Sequence, residues 1–125
     1  MCGLIGIVAI ALIPGFCEEY FFRGILQKNL NFIIKNHHAA IIISSLLFSA
    51  FHLQFYGFFP RLFLGIFFGY LFYWSGSLIY PVIAHAFNNF LSLTVFYAAS
   101  SGVFGENFDI SVNSSPDIPL AVIVL

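Results

Sequence analysis

The feature that most constrains this chain is a long apolar stretch, residues 3–26, that contains only three charged side chains. A membrane-spanning helix needs about 20 consecutive apolar residues, so this stretch is long enough to be one. Over all 125 residues, 61% are hydrophobic and 7% are charged, and the mean hydropathy is +1.00. A globular core of this size could not bury so much apolar surface, whereas a bilayer would accommodate it. The sequence therefore predicts an integral membrane protein.

The apolar segments predict an all-α fold, a polytopic transmembrane helix bundle of about four spans. Pro14 and Gly15 favour a kink in the first span. Gly65 and Gly69, four residues apart in the third span, are typical of helices that approach each other closely. The predicted spans are residues 3–30, 39–55, 62–74 and 78–99, with turns at 28–38, 56–61 and 75–77.

The sequence divides into three regions. Residues 1–99 form the predicted core, and residues 100–117 form an acidic loop outside the membrane, with three acids and no Lys or Arg. Residues 118–125 begin a further apolar segment that is too short to cross a bilayer. We therefore expect a truncated fifth span, in a chain that stops partway through a larger bundle.

The charge pattern indicates an orientation and excludes two kinds of binding surface. The loop 28–38 holds two of the four Lys and Arg residues, and the positive-inside bias predicts that this loop is cytoplasmic. With a net charge of -1 and four Lys or Arg residues scattered singly, the chain has no basic stripe for nucleic acid and no polybasic patch for lipid. The compact chain favours a bacterial plasma membrane, and the sequence leaves the oligomeric state open.

Glu18, Glu19 and Arg23 form the first polar cluster of the spans. An ionisable group at membrane depth costs about 2.5–3.5 kcal/mol, so three within six residues indicate a function or a partner. The i, i+4 spacing places Glu19 and Arg23 on one helix face, where we expect an ion pair. Glu18 points about 100° away and lacks that partner. An unpaired carboxylate in apolar surroundings suits a general base.

The second and third clusters are centred on histidines. His52 ends the sequence FSAFH, and His85 begins the sequence HAFNN. His85 and Asn89 share a helix face at i, i+4, so an imidazole and a carboxamide could together donate hydrogen bonds to one substrate oxygen. A single buried histidine is a hydrogen-bonded core residue about as often as a functional one. The case for function rests on the two histidines together with Glu18.

Glu18, His52 and His85 lie at similar depths in three different spans. At 1.5 Å per residue, they are about 15, 21 and 13 Å from the loops 28–38 and 75–77 on one face of the bundle. Buried polar groups seek each other, so we expect them to converge. A Glu and two His could also form an open Zn²⁺ site, although no HExxH motif is present.

The motifs EExxxR, FxxxH and HxxxN, in this order on successive apolar segments between Glu18 and Asn89, resemble those of the CPBP family of intramembrane proteases. That family includes the type II CAAX prenyl endopeptidases and bacterial proteins linked to bacteriocin self-immunity. The Gly24 that follows the first motif also matches.

The resemblance implies an intramembrane endopeptidase whose substrate is a peptide or a membrane protein in the lipid bilayer. Glu18 and His52 would activate water, and His85 and Asn89 would stabilise the oxyanion. Glu19 and Arg23 would orient Glu18. Family members are described both as metalloproteases and as metal-free enzymes, so the cofactor is either none or Zn²⁺.

Two other functions fit the sequence. A proton- or ion-coupled transporter subunit would also place Glu and His within its spans, although such transporters usually show internal repeats and this chain shows none. A non-catalytic bacteriocin immunity or scaffold protein could keep the same motifs.

Overall fold

The computed structural model describes residues 2–53, 55 and 57–101, and these residues form helices and the short connections between them, with no strand. The all-α prediction is confirmed. The acidic loop 100–117 lies almost entirely outside the described residues, and the apolar segment 118–125 lies wholly outside them. The elements are α1 (Cys2–Glu19), a π-helical segment (Tyr20–Gln27), α2 (Lys28–Ile34), α3 (His37–Phe51), α4 (Phe58–Ser75) and α5 (Ile79–Ser100).

The first three elements follow one another without a break, and Pro14 lies inside α1. The irregularity in this part of the chain is the π-helical segment, which begins directly after the two glutamates. Segments of this kind are rare and frequently occur at functional sites. Their wider turn changes which side chains share a face, so the segment resets the register between the glutamates and α2.

The prediction of a loop at 28–38 is wrong. Residues 28–34 are helical, and only Lys35 and Asn36 separate α2 from α3. Lys35 has a left-handed φ of 56° and its N–H donates to the Asn31 carbonyl, which ends α2. The Asn36 side chain accepts a hydrogen bond from the Ala39 N–H and caps α3. Polar residues here mark the end of the apolar run but not of the helix, because the backbone stays hydrogen-bonded.

The predicted turn at 56–61 is also too long. Residues 58–61 already belong to α4, and Pro60 sits in its first turn, where a missing N–H costs nothing. At the other end, Gly76 ends α4 with a φ of 67°, and its N–H donates to the Phe72 carbonyl. The predicted turn at 75–77 thus coincides with the connection between α4 and α5.

The helices pack chiefly in two pairs, α3 on α4 and α1 on α5. Gly65 and Gly69 line the contact of α4 with α3 and the π-helical segment. A Cβ on Gly69 would lie 2.8 Å from Cγ2 of Ile41, and one on Gly65 would lie 3.1 Å from Cβ of Ser45. Only glycine permits this approach, as the spacing of the two residues predicts.

In the part of the chain that the structure describes, no helix combines the length and the apolar character required to cross a membrane. The four spans, and the cytoplasmic side of residues 28–38, therefore stay predictions.

Candidate active site

Glu18, His52 and His85 meet although they come from three separate helices. Glu18 is the penultimate residue of α1, His52 follows the last residue of α3, and His85 lies in the second turn of α5. Oε2 of Glu18 is 3.9 Å from Nε2 of His52 and 3.7 Å from Nε2 of His85. The side chain of Glu18 is 27% exposed and that of His52 is 16% exposed. A small molecule such as water can reach the carboxylate between the two rings.

Glu19 lies behind this group and is fully buried. Its Oε2 is 3.1 Å from Nε of Arg23, in the i, i+4 ion pair that the spacing predicts. Its Oε1 accepts a hydrogen bond from Nδ1 of His85 at 2.8 Å. The resemblance led us to expect Glu19 to orient Glu18, but its contacts are with Arg23 and His85. Glu19 therefore holds the histidine rather than the neighbouring glutamate.

Arg23 is also fully buried, and its surroundings compensate its charge on several sides. Nη2 donates to the Gly65 carbonyl at 2.7 Å. The guanidinium carbon lies 4.8 Å from the ring centre of Phe48 and 5.8 Å from that of Phe68. A cation over an aromatic face gains electrostatic energy that grows when water is excluded. Arg23 thus joins the π-helical segment to α3 and α4.

The hydrogen bonds of the two histidines determine which ring nitrogen faces Glu18. Nδ1 of His52 is 2.9 Å from the Phe48 carbonyl oxygen, which can only accept, so Nδ1 carries the proton. Nδ1 of His85 likewise donates to the Glu19 carboxylate. In both neutral rings the lone pair is then on Nε2, the atom directed at Glu18. The site therefore presents two basic nitrogens to one carboxylate.

Phe48, the first residue of the FxxxH motif, fixes both rings. Its ring packs edge-on against His52 at 5.1 Å and against His85 at 5.8 Å. Phe68 stacks on the other side of His85 at 5.1 Å, with an interplanar angle of 18°. Two aromatic contacts and one hydrogen bond leave the His85 ring little freedom to rotate. Sequence patterns did not point to Phe68, which lies outside the three motifs.

Asn89 is buried one turn after His85. Its Nδ2 donates to the Ala11 carbonyl on α1 at 3.4 Å. Among the described residues its Oδ1 has no hydrogen-bond partner. His85 directs Nε2 at Glu18 and the Asn89 amide nitrogen contacts α1, so joint donation to a substrate oxygen stays a prediction.

Arg61 is a residue that the sequence interpretation missed, because it was assigned to a turn. It lies in the first turn of α4, is 2% exposed, and its charge interacts with that of Glu18. A signal was present: Arg61 precedes Gly65 by four residues and Gly69 by eight, which places it on the same helix face.

The three converging side chains do not fit a metal site as they stand. Ligand atoms about 2.0–2.1 Å from a tetrahedral zinc lie roughly 3.3 Å apart, closer than the atoms of Glu18, His52 and His85. Within the described ranges, no group of three or more His, Cys, Asp or Glu side chains is arranged to hold a metal ion. The zinc site stays a prediction, and we derive no chemical step from it.

Comparison with known proteins identifies the family. A family model described as type II CAAX prenyl endopeptidase Rce1-like matches residues 2–91, which is more than half of the chain and includes every candidate site residue. No curated protein and no solved structure matches the chain. The resemblance seen in the three motifs is confirmed. The chain belongs to the type II CAAX prenyl endopeptidase Rce1-like family, a family of membrane-associated proteases.

Proposed function

We propose that this protein is an intramembrane, CAAX-protease-like endopeptidase that hydrolyses a peptide bond with water activated by Glu18 and His52. The observation that carries the proposal is the position of the Glu18 carboxylate, 3.9 Å from Nε2 of His52 and 3.7 Å from Nε2 of His85. Membership of a protease family supports a peptide or membrane protein as the substrate.

Exposure separates the residues that meet the substrate from those that support them. Glu18 and His52 are partly exposed, whereas the side chains of Glu19 and Arg23 are fully buried. Glu18 and His52 are the catalytic candidates. Glu19 and Arg23 are positioning residues, because they act on the site only through His85 and through the packing of the helices.

The proposed reaction starts from a water molecule between Glu18 and His52. The water oxygen forms a bond to the carbonyl carbon of the substrate, and one water proton passes to the Glu18 carboxylate. The carbonyl electron pair moves to oxygen and gives a tetrahedral oxyanion. When the C–N bond breaks, the leaving nitrogen takes the proton from Glu18, which restores the carboxylate. His52 accepts a hydrogen bond from the water through Nε2 and orients it.

His85 can stabilise the oxyanion only if its Nε2 carries a proton. Because its Nδ1–H is bound to Glu19, Nε2 can donate only when the ring is an imidazolium. Oε2 of Glu18 lies 3.7 Å from Nε2 and Oε1 of Glu19 lies 2.8 Å from Nδ1, so a carboxylate faces each ring nitrogen. Asn89 becomes a second donor if its amide nitrogen exchanges the Ala11 carbonyl for the substrate. Fixed donors directed at a developing oxyanion are among the largest single contributions to catalysis.

The outer surface of the bundle supports a location in the lipid bilayer. Large apolar side chains such as Phe32, Phe51, Phe63 and Trp74 are exposed, while the buried side chains include many polar ones, Arg23 and Asn89 among them. Exposed apolar surface of this extent marks a membrane or interaction surface. A bacterial plasma membrane fits this arrangement.

The test is the hydrolysis reaction itself. The protein, purified in detergent, is incubated with a peptide library in water enriched in ¹⁸O, and the products are identified by mass spectrometry. We expect new carboxyl termini that carry one ¹⁸O atom. Proton movement across a liposome membrane without any peptide cleavage would contradict the proposal and favour a transporter subunit.

A further inference from the structure

A cavity of about 230 Å³ lies further along the first helical run than Glu18, where Gln27, Lys28 and Asn31 line it. Its walls come from α2, from the first residue of α3 and from the end of α4, and they include Lys28, Asn31, His37 and Tyr73. Lys28 is ten residues after Glu18, which corresponds to about 15 Å along a helix. The cavity is therefore separate from the candidate active site, and the proposed hydrolysis does not use it.

The charge of this cavity is positive. Lys28 is the charged residue among those that line it, His37 and Tyr73 are the other titratable ones, and no carboxylate lines it. The two acids of the described ranges, Glu18 and Glu19, both lie in the candidate active site. Nζ of Lys28 lies 5.4 Å from the ring centre of Phe72, so an aromatic face holds the ammonium at the cavity. An ammonium held in this way attracts an anion.

The other walls add hydrogen-bonding groups and an apolar border. The His37 ring packs on Tyr73 at 4.5 Å, and the Asn31 amide lines the same space. Next to these residues in the sequence, Phe32 is 82% exposed and Trp74 is 72% exposed. A cavity with one lysine, on a protein surface with exposed apolar side chains on the same helices, matches an amphipathic anion with a charged head and an apolar body.

We propose that this cavity binds the phosphodiester head group of an anionic phospholipid, with the acyl chains along Phe32 and Trp74. Anionic lipids are attracted to basic pockets between helices at the cytoplasmic surface of membrane proteins. Lys28 supplies the charge, and Asn31 and His37 supply hydrogen bonds to the phosphate oxygens. The membrane association of the family favours a lipid over soluble phosphate as the source of that group.

The chain contains a reporter for this binding, since Trp74 is its only tryptophan and packs against Tyr70 at 5.1 Å, beside the cavity. The protein in a non-ionic detergent is titrated with short-chain phosphatidylglycerol while Trp74 fluorescence is recorded. We expect a saturable change. Diacylglycerol, which lacks phosphate, and inorganic phosphate at the same concentrations should not produce it.

Variants of the cavity residues distinguish lipid binding in this cavity from unspecific contact of lipid with the protein surface. Lys28→Gln should weaken the phosphatidylglycerol response at least about tenfold, and His37→Gln should weaken it as well. Lys35→Gln, which removes a neighbouring lysine outside the cavity, should leave it unchanged. Glu18→Gln should also leave it unchanged, so failure here is distinct from failure of the proposed hydrolysis.

Three results would overturn the inference. The first is an equal response to diacylglycerol, and the second is a wild-type response from Lys28→Gln with its helical circular dichroism intact. The third is the same saturation with inorganic phosphate alone, which would assign the cavity to soluble phosphate rather than to a lipid.

Discussion

At the scale of single residues, Glu19 links buried Arg23 to His85 of the candidate active site. Its two carboxylate oxygens contact Arg23 on one side and His85 on the other, and no solvent reaches it. Removing one partner of a buried ion pair leaves the other charge buried without compensation, and this strongly destabilises the folded protein. Changes to either partner of Glu19 therefore affect stability and the position of the His85 ring together.

Arg23→Ala is expected to lower the free energy of unfolding by about 3–5 kcal/mol, because it leaves Glu19 buried without its cation. Thermal unfolding in detergent, followed by circular dichroism, measures the effect. Lys35→Ala, which removes an exposed cation, is the matched control and should not change the melting temperature. The Glu19→Gln/Arg23→Ala double variant should recover part of the loss. An unchanged melting temperature in Arg23→Ala, or no recovery in the double variant, would show that Arg23 is not the partner of Glu19.

Glu19→Gln tests the role of this residue as a support of His85. The glutamine oxygen can still accept the hydrogen bond from Nδ1, but an ionised acceptor becomes a neutral one, which weakens the bond that holds the ring. We expect kcat to fall, by no more than the roughly 10²–10³-fold that loss of a whole oxyanion donor costs, with little change in KM. A rise in KM at constant kcat would indicate that Glu19 contributes to substrate binding instead.

At the scale of the helices, the sequence predicts the existence of the elements better than their ends. Apolar runs indicate each helix, but helical hydrogen bonds continue through the polar residues 28–34, where the apolar pattern stops. The π-helical segment 20–27 leaves no pattern in the sequence. Equal depth correctly suggests that Glu18, His52 and His85 meet. The bond between Glu19 and His85 depends on how α1 and α5 are rotated, which periodicity does not fix.

Gly69→Ala tests the close approach of α4 to its neighbours. The added Cβ would lie 2.8 Å from Cγ2 of Ile41 and 3.0 Å from Oε1 of Gln27, both buried. Overpacking costs about 1–3 kcal/mol and outweighs the gain in helix propensity, so we expect a lower melting temperature. Gly6→Ala is the matched control, because a Cβ there meets nothing within 4 Å, and it should not lower stability. Equal melting temperatures for the two variants would contradict the packing described here.

At the scale of the whole molecule, polar and charged side chains lie inside the bundle and apolar ones cover much of its outside. The ionisable groups of the candidate active site therefore include a buried cluster of Glu19, Arg23 and His85 and the partly exposed carboxylate of Glu18. Both acids of the described ranges, Glu18 and Glu19, lie in the candidate active site, so few charges are needed to build it.

We predict that the purified protein cleaves its substrate without a metal ion, because Oε2 of Glu18 is 3.9 and 3.7 Å from the two imidazole nitrogens, further than the roughly 3.3 Å between ligands of a tetrahedral zinc. Elemental analysis should show substoichiometric zinc in active enzyme, and a chelator should leave the cleavage rate unchanged. Stoichiometric zinc, together with activity that is lost on chelation and recovered on adding zinc, would contradict this prediction while leaving the protease assignment intact.

The most direct test of the central claim is the peptide cleavage rate of Glu18→Gln, measured beside the wild type and His52→Ala. Glutamine keeps the size and polarity of the side chain but cannot take a proton from water. We predict a near-complete loss of cleavage in Glu18→Gln and His52→Ala with circular dichroism unchanged, whereas His38→Ala, at an exposed histidine bound to Tyr70, should retain the wild-type rate within a few-fold. Cleavage by Glu18→Gln at the wild-type rate would show that Glu18 is not the base.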